Sequence, residues 1–380
     1  MSVETKYLNT KGSSSRLLAL DVFRGLTIAG MIVVNTPGTW THVYPPLLHA
    51  EWHGWTFTDT IFPFFLFIVG VSMVFSFARR RAEGATRREL FLHSFRRGAI
   101  IFGLGLALNV LSYFAFHRAH LRIPGVLQRI GVVFLLAAAL SLALGKRGIL
   151  IAAVLLLVGY WALMTFVPVP GYGAGRLDLD GNLAAYVDRL VLGAHTWKPG
   201  WDPEGPLSTI PAVATTLLGA LAGGWLQTGS MKRKITGLAA GGLAAFAAGL
   251  LWGRVFPINK NLWTSSYSLA MSGLAAMLLA LFLLVVDVRG WRGWAAPFVW
   301  LGRNPIAAFV ASTLVTILML AVKLPGSDGK PRSLYSTIYR TVFDRFEDPR
   351  LGSLLFALTC LAAWVAISGL LYRKRVFFKI

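Results

Sequence analysis

Among the side chains of this sequence, His49 and Asp59 are the pair best placed for acid–base or nucleophilic chemistry. Both lie in HAEWHGWTFTD (49–59), a polar, aromatic stretch that runs into the apolar segment IFPFFLFIVG (61–70), so Asp59 at the mouth of a helix can fold back toward His49. A carboxylate that orients an imidazole makes the free ring nitrogen a stronger base or nucleophile. A structural or metal-binding histidine competes with that reading, although neither HExxH nor a clear three-ligand spacing is present. His42 and His53 read as solvated neighbours, and Trp40, Trp52 and Trp55 as an interfacial belt.

Other polar groups stand in apolar runs, where ionisable side chains are costly and their clusters tend to mark function. Asp21 and Arg24, three residues apart in LDVFRG (20–25), share one helix face and lower each other's burial cost, either as an architectural ion pair or with a direct role. Asn35 ends the same helix. Gln128 and Arg129 sit inside a fourth apolar run, Arg303 and Asn304 in a ninth, and Asn259, Lys260 and Asn261 just before an eighth. Polar groups of this kind either line a path and bind a ligand or hydrogen-bond between helices.

The elements that must position these residues are membrane helices. The chain has 380 residues, 56% of them hydrophobic and 14% charged, with a mean hydropathy of +0.62. Its apolar runs have the length a bilayer demands, which predicts an all-α polytopic membrane protein with about ten transmembrane helices. They fall at 17–36, 56–78, 95–115, 123–144, 148–168, 207–227, 235–254, 264–286, 297–321 and 351–372. The organisation expected is a polar tail at 1–16, one transmembrane domain at 17–372 and a short tail at 373–380, with the first helix retained rather than cleaved as a signal.

Lysine and arginine give the orientation. The connection after the second run carries Arg79, Arg80, Arg81, Arg87, Arg88, Arg96 and Arg97, whereas the one after the first run carries neither Lys nor Arg. Alternate short loops continue the bias, which places both termini in the cytoplasm. The net charge of +21 is explained by this bias and by contact with anionic lipid. No RNP-type, zinc-finger or helix-turn-helix pattern points to nucleic acid. The single cysteine, Cys360, lies in an apolar run and excludes a disulfide framework or cysteine-based metal site. DLDGN (178–182) lacks the spaced ligands and closing Glu of a calcium loop and reads as a turn. No internal repeat of the inverted-transporter kind is present.

Six motifs recur in a recognisable order: LDVFRG, HAEWHGWTFTDTIFPFFLFIVG, LRIPGVLQRIGV, DPEGPLSTI, FPINKNLWTSSY and LGRNPIAAFV. Together they resemble the heparan-α-glucosaminide N-acetyltransferase family, in particular its bacterial-type members, over almost the whole chain. The resemblance implies a transmembrane acyltransferase that takes acetyl from cytosolic acetyl-CoA and gives it to an amino sugar across the membrane. A bacterial inner-membrane location, no metal, and a chain that begins at the catalytic core without a luminal N-terminal region are the accompanying expectations.

Carried over by motif, His49 is the essential histidine, Asp59 the acid behind it and Asn35 the asparagine that ends the preceding helix; His53 stands where a human-like pattern has Asn. Arg24, Arg303 and Asn304, with Gln128 and Arg129, are the expected donor contacts. Trp52, Asn259, Lys260 and Asn261 are the expected acceptor contacts. The expected partners are acetyl-CoA, an amino-sugar acceptor and the lipid bilayer, with a homodimer left open by the small-residue helix faces. A sugar or glycolipid transporter that uses His49 as a substrate contact is the competing function. A scaffold would explain the basic loop but not the acid–histidine pair.

Overall fold

In a computed structural model of the chain, residues 17–325 and 330–378 are described. The expected N-terminal tail at 1–16, with Lys6, Lys11 and Arg16, and the last two residues, 379–380, lie outside them.

The helices are α1 (Leu18–Asn35), α2 (Phe57–Ala82), α3 (Arg87–Ala115), α4 (Val126–Ala143), α5 (Lys146–Phe166), α6 (Leu183–Leu192), α7 (Thr209–Leu226), α8 (Met231–Trp252), α9 (Ser265–Phe282), α10 (Ala296–Arg303), α11 (Pro305–Ala321), α12 (Leu334–Ile338) and α13 (Pro349–Arg373). A short ribbon, β1 (Lys323–Pro325) with β2 (Pro331–Ser333), pairs antiparallel ahead of α12. At about 1.5 Å per residue even the 18-residue α1 is roughly 27 Å long, enough to cross most of the ~30 Å hydrocarbon layer. Among the described residues nine helices are long and apolar enough to span a membrane, or ten spans if the bent pair α10–α11 counts as one. The protein is an all-α polytopic integral membrane protein.

Two boundaries differ from the apolar runs. α3 starts at Arg87 rather than near 95, because Thr86 and Glu89 form a reciprocal capping box that stabilises a polar first turn. The run at 297–321 is two helices bent by 86°. Pro305 has no N–H to donate and disfavours helical geometry in the residue before it, and Asn304 accordingly leaves the helix at φ −128° and ψ 50°. DLDGN forms a turn, Asp178 accepting from the Gly181 N–H at 2.8 Å. Asn182 then caps α6, a short helix outside the spans that periodicity did not reveal.

Helices α1, α2, α4, α7 and α9 bury more than half of their spans and form the centre; α3, α5, α8 and α13 bury less than a third and face outward. Aromatic contacts knit the centre, with Phe23 against Phe64 and Phe282, and Trp263 against Phe62 and Tyr267. In lipid, helices associate through close packing and hydrogen bonds rather than through water exclusion. Gly25 of α1 and Gly302 of α10 show that logic. A methyl at Gly25 would overlap the Phe298 carbonyl, and one at Gly302 would overlap the carbonyl of Asp21. Two of the sequence motifs, LDVFRG and LGRNP, therefore meet backbone to backbone.

Because each span reverses direction, the bundle has a short-turn end and a loop end. The short-turn end holds the start of α1, the α2–α3 and α4–α5 turns and the stretch after α9. There Asp287, in the wide helical turn Leu283–Val288 that continues α9, accepts from Leu18 N and Ala19 N at 3.1 and 3.0 Å. It caps a helix whose own N-cap residue, Leu17, has no acceptor. The loop end holds 36–56, 116–125, 167–208 and 253–264.

Candidate active site

The loop before α2 folds back on the helix it introduces. Thr56 is the N-cap, its hydroxyl donating to Leu48 O at 2.6 Å. Asp59, in the first turn and buried, accepts from the backbone N–H groups of Ala50 and Thr56 through Oδ2, at 3.0 Å each. Its other oxygen, Oδ1, lies 2.6 Å from His49 Nδ1. An ionised carboxylate only accepts, so Nδ1 carries the proton and the lone pair sits on Nε2. The helix N-terminus favours the negative charge behind it. The His49 ring is half-exposed, with 52% of its side-chain surface accessible, which leaves Nε2 open to a reactant. Tyr267 Oη donates to the Asp59 carbonyl at 2.5 Å and ties this turn to α9. Asn35, at the end of α1, is exposed at the same end of the bundle.

The rest of the loop is anchored to neighbouring loops. Gly54 N donates to Ile258 O at 2.7 Å, with Gly54 at φ 96°, a conformation that favours glycine. Trp52 Nε1 donates to Leu177 O at 2.7 Å and the indole meets Trp201 edge-on. His53 Nδ1 lies 3.4 Å from the amide nitrogen of Asn259. Asn259 is buried and its oxygen accepts from Leu262 N at 2.9 Å, so half of that amide shapes its own turn. Lys260 and Asn261 follow it, half-buried. The expected acceptor residues are thus gathered at the loop end, with Trp52 and Asn259 on either side of His53.

Behind them lies a buried ionic network that joins the loop before α4 to α6 and the segment that follows it. Arg122 binds Asp202 with both arms of its fork, at 2.8 and 2.7 Å, and reaches Glu204 at 2.5 Å. Burial alone would depress the Arg122 guanidinium, but its bonds to the two carboxylates hold it above its usual range. Burial also opposes ionisation of Glu204, and the charges of Arg122, Lys260 and Arg129 outweigh it, leaving the carboxyl below its usual range. Asp188 accepts from Asp202 N at 2.8 Å. Burial, and then the neighbouring Asp202 charge, push its carboxyl up to about 7 against that bond.

Gln128 and Arg129 belong to this end. Arg129 donates to Gly205 O at 3.1 Å and Ser208 Oγ at 2.5 Å and stacks over Trp263; Gln128 donates to Ile123 O at 3.0 Å. The only sequence signal for the network was the opposite charge of the loop motifs LRIPG and DPEGP.

At the short-turn end, Asp21 is buried and shared by two arginines. Arg24 Nη1 lies 3.2 Å from one Asp21 oxygen and Arg303 Nε 3.4 Å from the other. Arg24 also donates to Gly302 O at 3.1 Å and Ser72 Oγ at 2.5 Å. These groups border a cavity of about 200 Å³ whose lining includes Arg24, Ser72, Arg97, Arg303, Asn304 and Phe378. Asn304 is engaged by the segment that follows α13: its amide NH₂ donates to Val376 O at 3.0 Å and its amide oxygen accepts from Phe378 N at 2.9 Å. Tyr372 and Phe377 each contact the Arg303 guanidinium at 5.6 Å. Of the five expected donor contacts, Arg24, Arg303 and Asn304 come together at this cavity; Gln128 and Arg129 do not line it. Arg97 does, although in the sequence it reads only as a marker of the membrane boundary.

Comparison with known proteins agrees with the motif series. A family model for the catalytic region of heparan-alpha-glucosaminide N-acetyltransferase matches residues 16–255. The heparan-alpha-glucosaminide N-acetyltransferases of Mus musculus and Homo sapiens are 30% and 29% identical to the chain, over 97% and 96% of its length. The matches cover 61% and 60% of those proteins, so the chain spans about three fifths of the length of these curated relatives.

Proposed function

The chain belongs to the heparan-alpha-glucosaminide N-acetyltransferase family, and we propose that it is a membrane-embedded acetyltransferase. In this reading it moves acetyl from acetyl-CoA, bound at the short-turn end, to the amine of a glucosamine-like acceptor at the loop end. The observation that carries the proposal is the contact between exposed His49 and buried Asp59 at one end of α2, with a cationic cavity bordering the same helix further along.

The chemistry balances without a further reactant. A protonated amine and acetyl-CoA give an N-acetyl amine, free CoA thiol and a proton. His49 Nε2, with Asp59 holding the proton on Nδ1, takes the acceptor's proton as its nitrogen attacks the thioester carbon. Alternatively Nε2 attacks first, forming an acetyl-imidazole as the C–S bond breaks, and the amine then displaces His49. Asn35, exposed at the end of α1, is the proposed donor to the oxyanion in either route. Trp52, Asn259, Lys260 and Asn261 are the proposed acceptor contacts, and Arg24, Arg303 and Asn304 the proposed walls of the donor site.

The arginine-rich short turns support an orientation with the cavity, the start of α1 and the end of α13 facing the cytoplasm, where a polyanionic donor is available. A single catalytic domain over 17–372, with cytoplasmic tails at 1–16 and 373–380, is part of the same proposal. The relatives found are mammalian, so a bacterial-type member of an inner membrane is supported by the motif resemblance alone.

The test is transfer of labelled acetyl from acetyl-CoA to glucosamine by the purified protein in nanodiscs. Turnover by the wild type and its loss in His49→Ala are expected. Equal rates in the two would overturn the catalytic assignment, and no transfer together with no thermal stabilisation by CoA would overturn the acetyltransferase reading.

A further inference from the structure

We propose that Arg97, on α3, is the seat of the donor's phosphates in the short-turn-end cavity. The proposal rests on the acetyl-CoA reading above and assigns, within it, the residue that meets the anion.

The three guanidinium groups of the cavity are not equivalent. Arg24 and Arg303 both ion-pair with Asp21, and Arg24 is further held by Gly302 and Ser72. These contacts join α1 to α10 and α2, an architectural task. Arg97 has no ion pair and no hydrogen bond among the described residues, and its buried Nε is without a partner. What holds it is the ring of Phe134, 5.0 Å from the guanidinium carbon. A cation set against apolar walls with an unsatisfied N–H is costly unless an anion completes it. The planar fork of an arginine matches phosphate oxygens two at a time.

Its position is fixed by backbone rather than by polar ties. Next to it, Gly98 of α3 lies against Gly131 of α4; a methyl on Gly98 would come within 2.9 Å of the Gly131 carbonyl oxygen. Phe134, the stacking partner, is one turn further along α4. The helix contact and the ring together direct the guanidinium into the cavity, which Ile130 and Phe134 also line. Arg97 is ten residues, about 15 Å, from the start of α3. The first turn of α3 is polar, with Arg87, Arg88 and Glu89, which puts the guanidinium toward the end at which α3 enters the bilayer. There a polyanion can stay close to water while the uncharged pantetheine arm runs inward past Val69 and Phe65.

Phosphate at this level has two sources, the donor and an anionic phospholipid headgroup. The experiment uses full-length protein purified in neutral detergent, with CoA, the phosphate-free donor S-acetylpantetheine and phosphatidylglycerol as probes, on wild type, Arg97→Gln and Arg97→Lys. The Kd for CoA should rise roughly tenfold to a hundredfold in Arg97→Gln, with a smaller rise in Arg97→Lys, which keeps the charge and loses the fork. Transfer from S-acetylpantetheine should stay within about twofold of wild type, since that donor has no phosphate to lose. Should Arg97→Gln fail to fold, weakened CoA binding with unchanged use of S-acetylpantetheine in Arg97→Lys supports the proposal, and unchanged CoA binding overturns it. Wild-type affinity for CoA in a folded Arg97→Gln overturns the proposal and leaves the acetyltransferase standing. So does a loss of phosphatidylglycerol stabilisation with CoA binding intact, which would give the seat to lipid. A wild type that fails to bind CoA overturns the donor reading itself.

Discussion

Replacing Asp59 by Asn separates catalysis from folding at the candidate centre. In the native site one carboxylate oxygen faces His49 Nδ1 at 2.6 Å, while the other accepts two backbone N–H groups at 3.0 Å. An asparagine has one acceptor oxygen. Two backbone donors outweigh one ring nitrogen, so the oxygen stays with Ala50 and Thr56 and the amide NH₂ turns to His49. Nδ1 must then accept, which moves the ring proton to Nε2 and removes the lone pair that a base or nucleophile needs.

The stability cost is small: about 1 kcal/mol for a weakened hydrogen bond and ~0.3–1 kcal/mol for the lost charge at the helix N-terminus. The catalytic cost is that of a missing general base, roughly 10²–10⁴ in kcat/KM. Acetyl transfer and thermal unfolding are measured on the same nanodisc preparation, with CoA binding as a control expected to stay at the wild-type value. Activity within about threefold of wild type in a folded Asp59→Asn protein would refute the tautomer argument and with it the role of Asp59.

The loop-end network and the helix contacts give three more expectations. Asp188 has a folded-state pKa of about 7 against ~3.9 for an unfolded aspartate, so the folded protein holds the extra proton between those values. Stability should therefore fall as pH rises from about 4 to about 7 and level off above, by up to ~4 kcal/mol. Asp188→Asn, which mimics the protonated form, should raise Tm at pH 8 and leave it unchanged near pH 4; parallel Tm profiles for the two proteins would contradict this. Arg122→Gln leaves Asp202 and Glu204 buried without their cation, a loss of about 3–5 kcal/mol, visible as a lower Tm; an unchanged Tm would mean the network is not stabilising. Gly25→Ala forces a methyl into the Phe298 carbonyl and should lose at least ~1–3 kcal/mol, read as loss of monodisperse protein. Gly103→Ala, with open space around the added atom, should behave as wild type.

Much of the fold was legible because hydropathy needs only a count of apolar residues, and the lengths of α1, α2, α5 and α8 follow from it closely. It is blind to two things that set the remaining boundaries. One is capping, where the Thr86–Glu89 pair carries α3 eight residues beyond its apolar run. The other is proline, where an uninterrupted apolar run hides the break at Asn304–Pro305. The pairing of His49 with Asp59 was legible since both lie in one short loop. The destination of Arg129 was not, because which loop a buried arginine meets depends on how distant helices cross. Arg97 was hidden by its neighbour: two arginines at a membrane boundary read as an orientation signal, and only packing shows that one of them turns inward.

The two sites share α2, and the distance along it constrains how they work together. From Asp59 to Ser72 is thirteen residues, about 20 Å. On α2 the cavity is lined by Phe65, Val69 and Ser72, so its lining stops six residues, about 9 Å, short of Asp59. Between lie Ile61, Phe62 and Phe64, all buried. In the proposed transfer, a standing aqueous path from cavity to loop end would let water compete for the thioester and leak protons across the bilayer. Packed side chains that part only for a narrow, uncharged arm avoid both, and the amides of a pantetheine arm would then need hydrogen-bond partners on the helices that face α2. On this view Asp21, by clamping Arg24 and Arg303, keeps the cavity wall fixed while the residues above Phe65 do the moving.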